Sequence, residues 1–335
     1  SERVRPETVN ETVVKKKKRE LSERALRLNN EAIFVDVHNH MMFEFAIRQA
    51  LGEKNIFDKR YAPALHRGGI NVIATSVGGN SPCVCNLSDD LAFGSFEQID
   101  MLRMEEAASN TFRICHNAGE IEAAVTEGKF AVLLAFEGAR ALEGRADEES
   151  LSMLRTFYRL GLRVNCICGG GRTRFADGMG EARADAGLTT FGVKLVEEMN
   201  RLGVLVDLTH MTDNSFFDVL EVTNRPVLVS HIGVKAVCPS PANLSDERIK
   251  AIGETGGVIG MEMVKTEIRW KAQETGEEVT FDDVVKHIDH IADRIGTDHI
   301  GIGLDYDNFD LVHNIHRAMC PAPGTIEGFY TGIPK

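Results

Sequence analysis

The sequence predicts an α/β fold, a (β/α)8 barrel of the TIM type, and two observations carry that reading. Eight short apolar runs of strand character alternate with stretches of helical periodicity, and five of the runs lead into a residue able to bind a metal or handle a proton. Alternating β and α patterns imply a parallel sheet with helices outside it, and eight repeats imply closure into a barrel more than an open sheet. The carboxyl ends of all barrel strands open on one face, so side chains remote in sequence converge there. With 335 residues and 43% apolar content, the chain accommodates one barrel of roughly 250 residues plus loops. We therefore expect a single domain over 1–335 with a helical segment near the amino terminus, at about 10–30.

Taken in order, the elements are as follows. The basic run Lys15–Arg19 precedes LSERALRLNNEA, in which Leu21, Ala25 and Leu28 share one helical face, so the run reads as the solvated start of a helix. The first strand, Ile33–Val37, enters His38-Asn39-His40. Strand side chains alternate, which puts His38 and His40 on one face and Val37 and Asn39 on the other. Val72–Ser76 is second, Ala131–Phe136 third and ending at Glu137, and Leu162–Cys166 fourth. Val204–Leu208 precedes His210, Val227–Ser230 precedes His231, Val258–Met261 is seventh, and Ile300–Leu304 precedes Asp305. If Asp305 faces the interior, so do Gly301 and Gly303, while Ile300, Ile302 and Leu304 face the helices. In TTFGVKLVEEMNRLG, Thr190 is the expected N-cap and Gly203 the terminating glycine, and FDDVVKHIDHIADRIG repeats that design up to Gly296. Longer connections at 77–95, 169–188 and around 264–280 would shape the pocket. Gly169–Gly171 lacks the following Lys and Ser or Thr of a phosphate cradle and reads as a lid hinge.

Imidazole pairs and carboxylates of this kind suit zinc, which takes nitrogen and oxygen ligands at ~2.0–2.2 Å and lowers the pKa of bound water to about 7. A Glu such as Glu137 can bridge two ions through its two oxygens. His287 and His290 sit within a helix outside the barrel, and His66, His116, His299, His313 and His316 lack a strand-end setting, so none joins the metal set. The net charge of −12 argues against a nucleic-acid partner, which demands clustered Lys and Arg. No run has the length of a membrane span, and the polar start is unlike a signal peptide, which makes the cytosol the expected location. Seven scattered cysteines, including the C-x-C pairs Cys83/Cys85 and Cys166/Cys168, suit reduced packing thiols better than a disulfide framework.

With these residues in place, the chain resembles the renal (membrane) dipeptidase family of binuclear zinc peptidases, within the amidohydrolase superfamily. The likeness runs from about residue 20 to 310. It is most specific from Gly187 to Met261 and in HIDHIADRIGTDHIGIGLDYD. By that likeness His38 and Glu137 would bind one zinc, Glu137 would bridge to a second held by His210 and His231, and Asp305 would be the acidic residue beside the metal-bound water. The resemblance also implies a homodimer.

Three positions depart from the family. Its first motif reads His-x-Asp, whereas this chain has His38-Asn39-His40, so the site is less negative and the complement of zinc is two ions, or one. Where the family places a substrate-contacting His stands Gly169, and where it places an Arg gripping the dipeptide carboxylate stands Ala242. Arg172, Arg174 and Lys235 are the candidates to compensate. The leading expectation is hydrolysis of a dipeptide or similar small amide by metal-bound hydroxide, with Asp305 as the proton carrier. A lactam, an N-acyl amino acid or another small amide is the alternative substrate, and a non-catalytic binding barrel is the alternative from another class.

Overall fold

The computed structural model describes residues 21–79, 90–270, 275–276 and 278–305. The basic run Lys15–Arg19, the Cys83/Cys85 pair, His313, His316 and the whole segment after Asp305 lie outside them. The chain divides into two compact units, Ser1–Ala32 and Ile33–Lys335. In the first, α1 (Glu23–Glu31) starts at Ser22, whose Oγ accepts from the Ala25 amide and so satisfies one of the orphan donors of the first turn. None of its residues is buried.

Among the described residues the second unit has nine parallel strands: β1 (Val35–Asn39), β2 (Val72–Gly79), β3 (Phe112–Ile114), β4 (Phe130–Glu137), β5 (Leu162–Cys166), β6 (Leu205–Asp207), β7 (Leu228–Ile232), β8 (Val258–Met261) and β9 (Ile300–Ile302). Eight of them close the barrel, with β9 returning to pair with β1 and β2 pairing directly with β4. The eight runs read from the sequence are these eight strands. β3 has no counterpart among them, because FRI with a central Arg113 offers no apolar run. It pairs with Phe130–Val132, the part of β4 that precedes the pairing of Leu134 with β5.

Ten helices of this unit are described: α2 (Met41–Ala50), α3 (Ala62–Gly68), α4 (Leu91–Ala108), α5 (Ala118–Thr126), α6 (Asp147–Leu160), α7 (Thr190–Leu202), α8 (Asp213–Val222), α9 (Asp246–Glu254), α10 (Lys265–Ile268) and α11 (Phe281–Ile295). The N-cap of α7 is Thr189, one residue before the expected Thr190: its Oγ1 accepts from the Gly192 amide. Gly203 closes the helix at φ 80°, a left-handed conformation that glycine adopts without steric cost. α11 begins with a reciprocal capping box between Thr280 and Asp283. Among the described residues no helix is long and apolar enough to cross a membrane.

Alternation along the strands sorts side chains into two layers. In β4, Val132, Leu134 and Phe136 join the core between barrel and helices, which also holds Phe157 of α6 and Phe216 of α8. Ala135 belongs instead to an interior cluster with Val164, Leu228, Val37, Leu205 and Val258. Glu137 is in phase with Ala135, so the strand carries its carboxylate to the interior at the carboxyl end. Interior crowding explains two glycines. A Cβ on Gly260 would lie 1.9 Å, and one on Gly303 1.8 Å, from the Ser230 carbonyl oxygen. Gly303 therefore faces inward, as its spacing from Asp305 predicts.

β1 departs from the strict alternation expected of it. Its register against β2 shifts between Asp36 and Asn39, and Val37 packs in the interior cluster. A bulge thus lets both Val37 and His38 serve the interior, where a regular strand would present only one of them.

Candidate metal centre

Six side chains from five strand ends meet at the carboxyl mouth of the barrel. His38 lies in β1 and His40 follows it, Glu137 ends β4, His210 follows β6, His231 lies in β7 and Asp305 follows β9. They form three overlapping groups, His38/His231/Asp305, His38/His40/Glu137 and Glu137/His210/His231, in each of which the ligand atoms lie within 4.8 Å of one another. His38 Nε2 is 3.2 Å from His40 Nε2 and 3.5 Å from Asp305 Oδ1. His40 Nε2 is 3.3 Å from Glu137 Oε2 and 3.1 Å from Asp305 Oδ1. On the other side, His210 Nε2 is 3.0 Å from both Glu137 Oε1 and His231 Nε2.

These separations fit a shared ion. Two ligands at ~2.0–2.1 Å from a tetrahedral cation lie about 3.3 Å apart, which is where the donor atoms stand. Glu137 reaches each side with a different oxygen, as a bridging carboxylate would.

Backbone geometry aims two of the six. His210 and Asp305 have φ of 64° and 49°, the left-handed region that non-glycine residues occupy at a cost and that concentrates at functional sites. The turn at Asp305 is held by its own amide donating to the His38 carbonyl (3.0 Å) and by the Leu304 amide donating to Asp36 Oδ1 (3.0 Å). Asp36 also accepts from the His38 amide and the Asn39 side chain. Burial nonetheless pushes its carboxyl up to about 7 against those three bonds.

His231 is oriented from behind. Its Nδ1 is 2.9 Å from Ser230 Oγ, which is 3.2 Å from Thr209 Oγ1, which donates to Asp207 Oδ1 at 2.7 Å. One proton assignment satisfies the chain: Nδ1–H to Ser230, Ser230 to Thr209, Thr209 to Asp207. It leaves Nε2 of His231 with a bare lone pair toward the other ligands, which is the tautomer a metal needs.

The electrostatics favour charged carboxylates and set the imidazoles apart from one another. For Glu137, burial favours the neutral acid, but His40, His210 and His38 outweigh it and hold the carboxyl well below its usual range. Asp305 is lowered in the same way, burial being overcome by His231, His40 and His38. Burial and neighbouring imidazoles lower His38 and His231, whereas Glu137 raises His210 despite its burial.

The remaining sequence candidates belong to none of the three ligand groups. Arg172 donates to Asp177 and pairs with Glu181. Arg174 donates to the Gly144 carbonyl and lies over the Phe191 ring. Lys235 is exposed, and Ala242 packs against the apolar core. The Gly169–Gly171 stretch lies against the backbone of Gly178 and Gly180, where the Gly180 amide donates to the Gly170 carbonyl. His287 is a buried structural histidine whose Nδ1 accepts from the Val234 amide and whose Nε2 donates to the Ile268 carbonyl. Cys166 and Cys168 are buried and free. Two acidic positions escape the sequence reading: Asp207, inside the run VLVDLTH, and Glu262, which ends the run GGVIGME. Glu262 carries the signal that marks Glu137, a carboxylate terminating an apolar run, whereas Asp207 interrupts its run.

Comparison with known proteins agrees with the geometry. A dipeptidase of Claviceps purpurea (strain 20.1), tcpJ, is 33% identical over 215 residues, covering 64% of this chain and 48% of its own length. The chain thus spans about half of that relative. The solved structure of dipeptidase AC, a metallopeptidase, superposes with a TM-score of 0.71 at 25% identity, covering 88% of this chain and 93% of that one. A metallopeptidase from Rhodobacter sphaeroides, liganded with a phosphinate mimic of L-Ala-D-Ala, shares the fold with a TM-score of 0.73 at 23% identity, over 86% and 93% of the two chains. The family model for membrane dipeptidase, peptidase family M19, matches residues 22–317, and the chain belongs to that family.

Proposed function

We propose that the chain is a metal-dependent hydrolase of small amides, with dipeptides as the first substrate class and zinc as the metal, two ions bridged by Glu137. The observation that carries this reading is the convergence of His38, His40, Glu137, His210, His231 and Asp305 in three overlapping groups whose ligand atoms lie within 4.8 Å of one another. In that role His38, His40 and Asp305 would flank one ion, and His210 and His231 the other. Such ions supply Lewis acidity toward the scissile carbonyl and acidify water. Asp305, held ionised by the surrounding imidazoles, accepts the proton of the attacking water at Oδ1 and returns it to the departing amine. His231 keeps its Nε2 lone pair through the Ser230–Thr209–Asp207 chain.

Dipeptides gain support from family membership and from the Rhodobacter relative, whose ligand mimics a dipeptide. A second reading, an amide substrate lacking a free carboxylate, is favoured by Ala242, which adds no charge where the family carries an arginine. A binding barrel without turnover is disfavoured, because so many buried polar groups at strand ends are costly to keep without use. The four described cysteines, all buried and free, support a reducing compartment such as the cytosol. The deciding experiment measures metal content of the purified protein together with turnover of L,L- and L,D-dipeptides, N-acyl amino acids and lactams. Stoichiometric transition metal with dipeptide turnover is expected; absence of both overturns the reading.

A further inference from the structure

Glu262 is a buried carboxylate of the mouth that neither the ligand groups nor the His231 chain employs. It directly follows β8, in phase with Val258 and Gly260, the two β8 residues that face the interior. The residue is 3% exposed, yet Oε1 has no hydrogen-bond partner. It stands outside all three groups of candidate metal ligands, so a shared ion does not account for it. Its charged neighbours have its own sign: burial first, then Glu267 and Asp305, push its carboxyl well above the usual range. Glu267 also carries a buried oxygen, Oε2, without a partner.

An unpaired buried carboxylate is costly, and a polar group left unsatisfied in a cleft is a candidate for ligand recognition. Among the described residues no Lys or Arg forms an ion pair with Glu262. Arg172 and Arg174 are engaged elsewhere.

We propose that Glu262 is a specificity-determining residue that receives a primary ammonium group of the substrate, supplied either by a free amino terminus or by a lysine-type side chain. The proposal rests on amide hydrolysis at the adjacent centre. An ammonium brings the charge and the donors that Oε1 lacks, with three N–H groups to share between Glu262 and Glu267. A neutral isostere would leave the carboxylate unpaired, the situation in which polar sites discriminate most strongly.

The test uses metal-loaded protein and three compounds: glycyl-L-lysine, glycyl-L-norleucine and N-acetylglycyl-L-norleucine. The first pair differs by the side-chain ammonium, the second by the amino-terminal one. We expect kcat/KM to fall roughly tenfold or more across one pair, and Glu262→Gln to bring that ratio to within about twofold of unity, mainly through KM. Equal turnover within both pairs by the unmodified protein overturns the proposal without recourse to a variant, and so does a ratio that survives in Glu262→Gln with metal content and melting intact. Failure of the hydrolase reading would show as no turnover of any of the three. Calorimetric titration with n-butylammonium chloride then decides alone: weaker binding to Glu262→Gln supports the assignment, and equal or absent binding in both proteins overturns it.

Discussion

The two ends of the barrel interior are built from the same strands and differ in chemistry. At the amino end, Val35, Leu133, Leu205, Leu228 and Val258 line an apolar cavity of about 570 Å³. Toward the carboxyl end the barrel strands carry polar groups instead: Glu137 ends β4, Asp207 ends β6, Ser230 lies in β7, Glu262 follows β8 and Asp305 follows β9. A rise of ~3.3 Å per residue means that a few residues of strand separate the two environments. Apolar filling asks little of its neighbours, whereas the polar end demands left-handed backbone at His210 and Asp305, a bulge in β1 and a hydrogen-bond chain behind His231. Those local costs at one end only are what a site under functional demand shows.

Disrupting the polar end where its two halves join should have the largest effect. Glu137→Gln removes the one carboxylate shared by two ligand groups. We expect loss of more than one-half of the bound metal and a fall in kcat/KM beyond the ~10–100-fold typical of outer-shell changes. Elemental analysis beside dipeptide kinetics reads both. At the opposite end, Leu228→Ala truncates an interior side chain that is 4% exposed. It should cost about 2–3 kcal/mol of stability, read as a lower urea midpoint at unchanged slope, with kcat/KM and metal content retained. Equal damage to activity by Leu228→Ala would dissolve the distinction between the ends.

Legibility in the sequence follows the same division. The strands were visible because their apolar runs are unbroken, and the ligands because each terminates such a run. Asp305 carried further information, since Gly301 and Gly303 share its phase and the interior has no room for a Cβ at Gly303. Three features were hidden. The β1 bulge is set by pairing with β2, a long-range fact that alternation within VDVHNH does not encode. β3 is too short and too polar for a pattern. Glu262 shows the terminating-carboxylate signal, but lies where a charged connection begins, so it reads as loop.

Asp207→Asn sharpens the comparison by touching no candidate ligand. Asp207 Oδ1 accepts from the Thr209 amide and hydroxyl and from the Ser230 amide. An amide there weakens the acceptor that fixes the proton order out to His231. A 10–100-fold loss of metal affinity is the expected result, seen in competition with a chromophoric chelator, while the urea midpoint moves less than for Leu228→Ala. A variant with unaltered metal affinity would show that His231 needs no support from behind.

The smallest effect separates a satisfied buried carboxylate from an unsatisfied one. Asp283, in the first turn of α11, is 5% exposed. Burial alone would raise its carboxyl, but Lys286, Arg269 and Thr280 hold it below the usual range. Unfolding therefore takes up a proton, so the stability that Asp283 contributes is complete above the ordinary Asp pKa of about 3.9 and is lost as the pH falls below it. Asp283→Ala should cost about 1 kcal/mol at neutral pH and less at pH 3. Glu262 has the opposite sign. Its carboxyl is raised, so the folded state is penalised as the pH rises above the ordinary Glu value of about 4.3. Glu262→Gln should leave stability equal or higher at pH 7, with any gain vanishing at pH 4. Urea melts of both variants at the two pH values measure the contrast, and a stability loss in Glu262→Gln at pH 7 would mean that its carboxylate is already paired in the folded chain.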